Sequence, residues 1–463
     1  MPRYRKERDV LGSVKVPTDA YYGSETQRAI NNFPISGISL PNTFIRHYAM
    51  IKKAAALTHI KFGKLESKKG SAIVKACNEL IAGMHAEQFT TDIYQAGAGT
   101  SVNMNLNEVI ANRAIEILGG RKGNYKLVHP NDDVNMSQST NDTFHACIHL
   151  TVYDELHNTL IPRLERLQKA FFKKAMDFRN IVKIGRTHMQ DAVPMTLGEE
   201  FSGYASALER QIKSIKMISD ALLDVSLGGT AVGTGIEAYK GYSKAVVKEL
   251  RKISGVQLRS AHNFFDIQQN QIEELWVSGA LRSLATLLNK ISNDLRLLSS
   301  GPRSGLGEIT LPPVQPGSSI MPGKINPSIP EMLIMVSLDV AGKDKENEEG
   351  ALLGQLELNV YMPIIAYNLL YSIEILSKGV DVFRQKCVIG IKANEERIKQ
   401  HIEENLSLAT ALAPHIGYSR AAAIARKALK ENKTLRQVCL DQKLFTKEEL
   451  KKILDSKALA RVG

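Results

Sequence analysis

Apolar residues recur at alternating four- and three-residue steps over Val277, Leu281, Leu284, Leu288, Ile291, Leu295 and Leu298, the spacing of a seam packed between near-parallel helices. A helix carrying that stripe is not stable in water by itself, and its apolar face must be satisfied either within the chain or by partner chains. Leu156, Leu160, Leu164, Leu167 and Phe171 repeat the pattern earlier, with Pro162 predicting a kink. Helical spacing also covers 197–223, 330–347 and 351–377, so five long helices fall in one region and predict a bundle. Before it, residues 1–40 read as strand-like or irregular, and helices are predicted over 44–65, 71–85 and 105–118. A break at 390–394 leads to a tail with short helices at 396–401, 421–430 and 447–454. The expected fold is all-α in three regions: a mostly helical N-terminal domain over 1–140, a central long-helix bundle over 141–390 and a small helical C-terminal domain over 391–463.

Composition narrows the class. At 463 residues, 43% hydrophobic and 23% charged, the chain has the balance of a globular protein with a large core. The opening Met1-Pro2-Arg3-Tyr4-Arg5-Lys6 leads into no apolar run, so neither a signal peptide nor a membrane span is expected, and the cytoplasm is the expected location. The formal charge of +12 is dispersed, as in Lys52-Lys53, Lys68-Lys69, Lys173-Lys174 and Lys451-Lys452, with no interleaved aromatic stripe, which speaks against nucleic acid. Cys77, Cys147, Cys387 and Cys439 lie far apart without C-x-x-C spacing or a His-x-x-x-His partner pattern, so neither a disulfide framework nor a zinc site is expected.

The candidate chemistry lies in polar stretches that interrupt the helical pattern. Gly317-Ser318-Ser319-Ile320-Met321-Pro322-Gly323-Lys324-Ile325-Asn326-Pro327 combines glycines, prolines, hydroxyls, a cation and an amide in one loop. Gly317 and Gly323 permit positive φ while the prolines forbid a hydrogen-bonded ladder, which leaves backbone N–H groups to face an anion. With Ser318, Ser319, Lys324 and Asn326 they form a site that holds a carboxylate and stabilises charge developing on it. Gly97-Ala98-Gly99-Thr100-Ser101 precedes a helix predicted from Asn105, and Ser137-Gln138-Ser139-Thr140-Asn141-Asp142 opens another. Helix N-termini attract anions, and capping explains only one or two residues of each stretch. Gly185-Arg186-Thr187-His188-Met189-Gln190-Asp191, also placed at a helix end, supplies an imidazole suited to proton transfer near neutrality. Glu331 follows Pro330 in the first turn of a helix, where a carboxylate favours the macrodipole. The last stretch is His129-Pro130-Asn131-Asp132. With no metal spacing, phosphate-binding glycine loop or cysteine nucleophile, cofactor-free chemistry by donors and proton carriers is expected.

The loop from Gly317 to Asn326 resembles the signature of the fumarase/aspartase superfamily, whose members eliminate a group from a succinyl-type substrate and release fumarate. The likeness runs from Tyr21-Tyr22-Gly23 to the C-terminal segment, and Gly323-Lys324-Ile325-Asn326-Pro327 is similar to the class II fumarase and aspartate ammonia-lyase branches. The resemblance implies a homotetramer with a twenty-helix core and active sites each built by three subunits. It implies Ser318 as the base, His188 paired with Glu331 as the acid/base pair, and Thr187, Lys324 and Asn326 on one substrate carboxylate. Thr100, Ser139, Thr140 and Ser319 would hold the other carboxylate, and Asn141 and His188 would face the leaving group. His129, Asn131 and Asp132 would form a second anion site. Two positions depart from the family pattern: Asp133, where His is common, and His145, where Pro is common. Ala98, where fumarases usually carry a substrate-contacting serine, and Thr140, where they usually carry Ser, are similar to aspartases. The stretches His129 to Asp132, Phe201 to Tyr204 and Met335-Val336 are more similar to fumarases. The expected reaction is elimination of ammonia from L-aspartate, with interconversion of L-malate and fumarate as the alternative.

Overall fold

The computed structural model describes residues 3–460. Met1 and Pro2, at the opening used above, and the last three positions of the expected C-terminal domain lie outside the described residues. The chain is 63% helix. A hairpin of β1 (Tyr4–Asp9) and β2 (Gly12–Pro17) comes first. It is followed by α1 (Ser24–Asn32), α2 (Asn42–Lys61), α3 (Ser67–Ile81), α4 (Thr100–Ile117), α5 (Thr140–Glu155) and α6 (Ile161–Asp177). A second hairpin, β3 (Val182–Thr187) with β4 (Gln190–Thr196), precedes α7 (Leu197–Ser219) and α8 (Tyr242–Ser254). Then come α9 (Phe264–Gln269), α10 (Ile272–Leu298), α11 (Ser328–Leu352) and α12 (Met362–Lys386), and the tail begins with α13 (Glu395–Glu404). Among the described residues no helix is long and apolar enough to cross a membrane.

The chain divides into two compact units, one of residues 1–161, 213–283 and 339–376, the other of 162–212, 284–338 and 377–463. The predicted stripe on α10 is buried at all seven positions, so one chain satisfies it without a partner. Leu156, Leu160, Leu164, Leu167 and Phe171 are buried too. The expected kink at Pro162 takes the form of a π-turn over Leu156–Leu160. The proline ring displaces the carbonyl four residues back, at Asn158, and a wider turn there absorbs the displacement.

Three boundaries differ from the sequence reading. The helix expected from 351 does not begin until Met362. Leu352, Leu353, Leu356 and Leu358 keep an apolar rhythm through the gap, but the Asn359 side-chain amide donates to the Gly350 and Ala351 carbonyls (3.0 and 3.3 Å) and so caps the end of α11. α4 begins at Thr100, five residues earlier than predicted, because Ala98 (φ 60°) and Gly99 (φ 85°) turn the chain immediately before it. The stretch 185–191 is a hairpin and not a helix end: Val182 pairs with Thr196 and Thr187 with Gln190 across a turn at His188 (φ 54°) and Met189 (φ 60°). Two left-handed residues match the twist of a hairpin, but His-Met lacks the Asn-Gly composition that would announce one.

In the second unit the helices meet through aromatic rings. Phe171 on α6 lies against Phe201 and Tyr204 on α7 and Phe383 on α12, and the Tyr204 hydroxyl donates to Asp294 on α10 (2.9 Å). Beside this core, β3 is held by a buried carboxylate. Glu308 contacts Arg186 Nη2 (2.6 Å), Lys183 Nζ (3.2 Å) and His401 Nδ1 on α13 (3.0 Å). Burial raises the Glu308 pKa, but the Arg186 hydrogen bond and the Lys183 charge outweigh it and hold the carboxyl below its ordinary value.

Glu308→Gln leaves Arg186 facing a neutral amide, while Lys183 keeps Glu200 at 2.7 Å, and the expected loss is about 3 kcal/mol of unfolding free energy, read from denaturant unfolding at neutral pH. Because the folded-state pKa is lowered, the contribution is complete above the unfolded value of about 4.3 and is lost as pH falls through the folded value. The gap between wild type and variant must therefore narrow on acidification. A gap under about 0.5 kcal/mol at neutral pH rejects the anchoring role.

Candidate active site

In the first unit the glycine turn before α4 is sterically fixed. The Ala98 N–H donates to the Val360 carbonyl (2.8 Å), and a Cβ at Gly99 would collide with the Phe144 ring. Thr100 therefore stands at the first position of α4, exposed, with Oγ1 3.3 Å from the Gly97 carbonyl. At the start of α5, Ser139 and Asp142 form a capping box: the Ser139 hydroxyl accepts from the Asn141 N–H (3.2 Å) and Asp142 accepts from the Ser139 N–H (2.9 Å). Thr140 Oγ1 accepts from the Asn103 amide (2.9 Å), and the Asn141 amide donates to the Ala231 carbonyl (2.7 Å). Ser139 and Thr140 thus each accept one bond from the protein and keep their own proton to donate.

Beneath these residues lies a polar network that the sequence reading passes over. Lys52, fully buried on α2, donates to Asn103 Oδ1 (2.8 Å) and Asn135 Oδ1 (2.9 Å), and Tyr48 bonds Asn103 and Thr143. Burial pushes the Lys52 pKa down to about 7. Asp142, also fully buried, accepts from the Gly228 and Thr230 N–H groups (2.9 and 3.2 Å), and burial raises its pKa to about 6 against those bonds. The available signal was a lysine at Lys52, inside the apolar run from Ile51 to Ala56.

The His129 stretch caps itself. His129 Nδ1 accepts from the Asn131 and Asp132 N–H groups (3.3 and 3.1 Å), the two amides that an anion would otherwise use. Asp133, the departure from the family pattern, accepts from the His129 N–H (2.7 Å) and pairs with Lys69 (2.9 Å).

In the second unit Thr187 and His188 stand exposed at the tip of the β3–β4 hairpin. The loop that follows the strand Ile309–Thr310 closes at its neck: the Gly317 N–H donates to the Lys324 carbonyl (2.9 Å), and the Asn326 amide donates to the Gly317 carbonyl (2.6 Å). A Cβ at Gly317 would collide with the Lys324 carbonyl, so only glycine fits there. Ser318 Oγ accepts from two backbone N–H groups, those of Ile320 (3.2 Å) and Met321 (3.0 Å). Ser319 and Lys324 are exposed. Glu331 does lie in the first turn of α11, but its ion pair is with Arg296 on α10 (3.8 Å), and within one chain no hydrogen bond or ion pair joins it to His188. The candidate residues thus form two groups, with Thr100, Ser139, Thr140 and Asn141 in the first unit and Thr187, His188, Ser318, Ser319, Lys324, Asn326 and Glu331 in the second.

One reading of the spacing is corrected, because a His-x-x-x-His pair is present. His145 and His149, one helical turn apart on α5, meet Glu274 on α10 in a fully buried cluster with the donor set of a metal site. Reading outward from the cysteines missed the His-x-x-x-His pair that brackets Cys147.

A lyase family model matches residues 12–342, and a fumarase C C-terminus model matches 408–461. The chain is 46% identical to an aspartate ammonia-lyase of a Bacillus species, covering 99% of this chain and 98% of that one, and 44% identical to a class II fumarate hydratase of Nitrosomonas europaea over the whole of both. Its structure superposes on a fumarate lyase:delta crystallin from Brucella melitensis with a TM-score of 0.96 at 46% identity, covering 99% of this chain and 100% of that one. A class II fumarase from Schistosoma mansoni gives 0.95 at 39% identity, with 99% of each chain covered. The chain belongs to the fumarase/aspartase family of lyases.

Proposed function

We propose that the protein converts L-aspartate to fumarate and ammonia by β-elimination, with Ser318 as the base. The observation that carries this reading is the pair of N–H groups on Ser318 Oγ. A hydroxyl has two acceptor sites and one proton, and here both acceptor sites are already supplied with donors. That arrangement stabilises the oxygen as its proton leaves, and Lys324 in the same loop adds positive charge when the loop closes over substrate.

Ser318 gives its hydroxyl proton to solvent as the loop closes, and the alkoxide so formed removes a proton from the carbon next to one carboxylate, which takes up the electron pair as an aci-dianion. Collapse of the dianion forms the carbon–carbon double bond and breaks the bond to the protonated amine on the neighbouring carbon, which leaves with the bonding pair as ammonia. Thr187, Lys324 and Asn326 hold the carboxylate that becomes the dianion, where stabilisation lowers the barrier most. Ser139, Thr140 and Ser319 hold the other through donated protons, Thr100 joins them by turning its hydroxyl from the Gly97 carbonyl to the substrate, and Asn141 and His188, supported by Glu331, face the amine.

Ala98 supports aspartate over malate. It is buried and places a methyl group where fumarases usually carry a substrate-contacting serine, which removes a donor that a hydroxyl leaving group would use. The fumarase-like stretch His129 to Asp132 and the identity to class II fumarate hydratases favour the second reading, interconversion of L-malate and fumarate. Both readings use a homotetramer with shared sites. Support for it comes from the exposure of Thr187, His188, Ser319 and Lys324 in a single chain and from Met335 and Leu338 on α11, more than 60% exposed.

Purified protein is expected to form fumarate, followed by ultraviolet absorbance, with equimolar ammonia from L-aspartate. Rapid hydration of fumarate to malate without ammonia release would establish the fumarase reading instead. Ser318→Ala is expected to lower turnover by about 10²- to 10⁴-fold with the fold intact. A loss under about threefold removes Ser318 from the mechanism.

The assembly has its own test. The protein is expected to sediment as a tetramer, and inactive Thr187→Val and Lys324→Ala variants are expected to regain activity on mixing, because a mixed tetramer assembles some undamaged sites. No recovery after confirmed subunit exchange means that each site is built by one chain.

A further inference from the structure

We propose that His145, His149 and Glu274 bind a first-row divalent transition-metal ion, zinc in the simplest case, which braces α5 against α10. All three side chains are fully buried, and their donor atoms lie within 4.8 Å of one another. Glu274 Oε1 is 3.1 Å from His149 Nε2 and 3.5 Å from His145 Nε2. A tetrahedral ion with bonds of about 2.0–2.1 Å needs its donors about 3.3 Å apart, the separation that both contacts of Glu274 Oε1 approach.

The proton positions point to a cation. His149 Nδ1 lies 2.7 Å from the Asp224 carbonyl, an acceptor only, so that nitrogen carries the proton. In neutral imidazole the Nε2 lone pair then faces a carboxylate oxygen, and two acceptors at 3.1 Å repel unless a positive charge joins them. A bound proton would satisfy His149 but not the rest of the cluster. Neither nitrogen of His145 has a hydrogen-bond partner, and neither does Glu274 Oε2. A metal ion takes the His145 lone pair as well as those of His149 and Glu274, and the Asp224 carbonyl acts as the outer partner that orients a ligating imidazole. Two imidazoles and one carboxylate suit zinc, cobalt or nickel, whereas magnesium and calcium take oxygen donors. Complete burial makes the site structural.

The test uses the full-length native protein, expressed in zinc-supplemented medium and desalted. A single zinc ion per chain is expected by plasma mass spectrometry. Prolonged dialysis against a chelator is expected to remove it and lower the thermal midpoint, and added zinc to restore both. Cobalt in place of zinc is expected to give the intense visible absorption of a four-coordinate ion. His145→Gln and Glu274→Gln are expected to lose the metal and the midpoint shift together. The proposal is overturned if the wild-type protein carries no stoichiometric metal and its midpoint ignores chelator and zinc alike, because the cluster is then an imidazolium–carboxylate pair. It is equally overturned if the cobalt band survives in His145→Gln. Should either variant fail to fold, the metal content and cobalt spectrum of the wild-type protein decide the matter.

Discussion

Asp142 gives one carboxylate oxygen to the Ser139 N–H and the other to the Gly228 and Thr230 N–H groups, and this sets where α5 begins. The helix start is tied to the turn after residue 225, and three consecutive residues, Ser139, Thr140 and Asn141, are held with it. Burying a carboxylate is costly, which is why its pKa climbs to about 6, while three backbone donors and the charge of Lys52 pull against that rise. Lys52 in turn holds Asn103, and Asn103 donates to Thr140. The polar residues that touch no candidate substrate thus determine the geometry of those that would.

The same polarity recurs in both units. Ser139 and Thr140 each accept a hydrogen bond from the protein, and Ser318 accepts two. A hydroxyl whose oxygen faces protein donors presents its proton elsewhere, which suits a dianionic substrate held without a metal or a cluster of arginines. Among the proposed carboxylate ligands only Lys324 is a formal cation. The net charge of +12 therefore says little about the site, and local donor geometry says more.

The long helices and the loop from Gly317 to Asn326 were legible because their signals are local. A seven-residue apolar stripe can only be a buried helix face, and Gly317 is needed because the Lys324 carbonyl closes on it. What stayed hidden depends on partners distant in sequence. The hairpin at 182–196 turns on His188 and Met189 without a turn-forming residue, and its anchor, Glu308, lies more than a hundred residues on. The gap before α12 is made by Asn359 capping α11 through a leucine-rich run that reads as helix. Lys52 reads as an ordinary surface charge until its face is seen to be buried. His145 and His149 were visible as a pair, but only Glu274 on another helix gives the pair chemical meaning.

The burial pattern of two long helices also links assembly to chemistry. α10 buries its whole stripe within one chain, whereas α11 leaves Met335 and Leu338 mostly exposed and, at 74%, Leu352 as well. α11 also carries Glu331 in its first turn, directly after the loop from Gly317 to Asn326. Met335 and Leu338 lie one and two turns along α11 from Glu331, so in the proposed tetramer an association that covers them would remove apolar area from water close to the loop carrying Ser318 and Lys324 and help to dehydrate it. A base that relies on backbone donors to stabilise its oxyanion gains most where water is excluded, because each donor acts more strongly in a low dielectric. On this reasoning an isolated subunit would retain the Ser318 hydrogen bonds and still lack the medium in which they are effective.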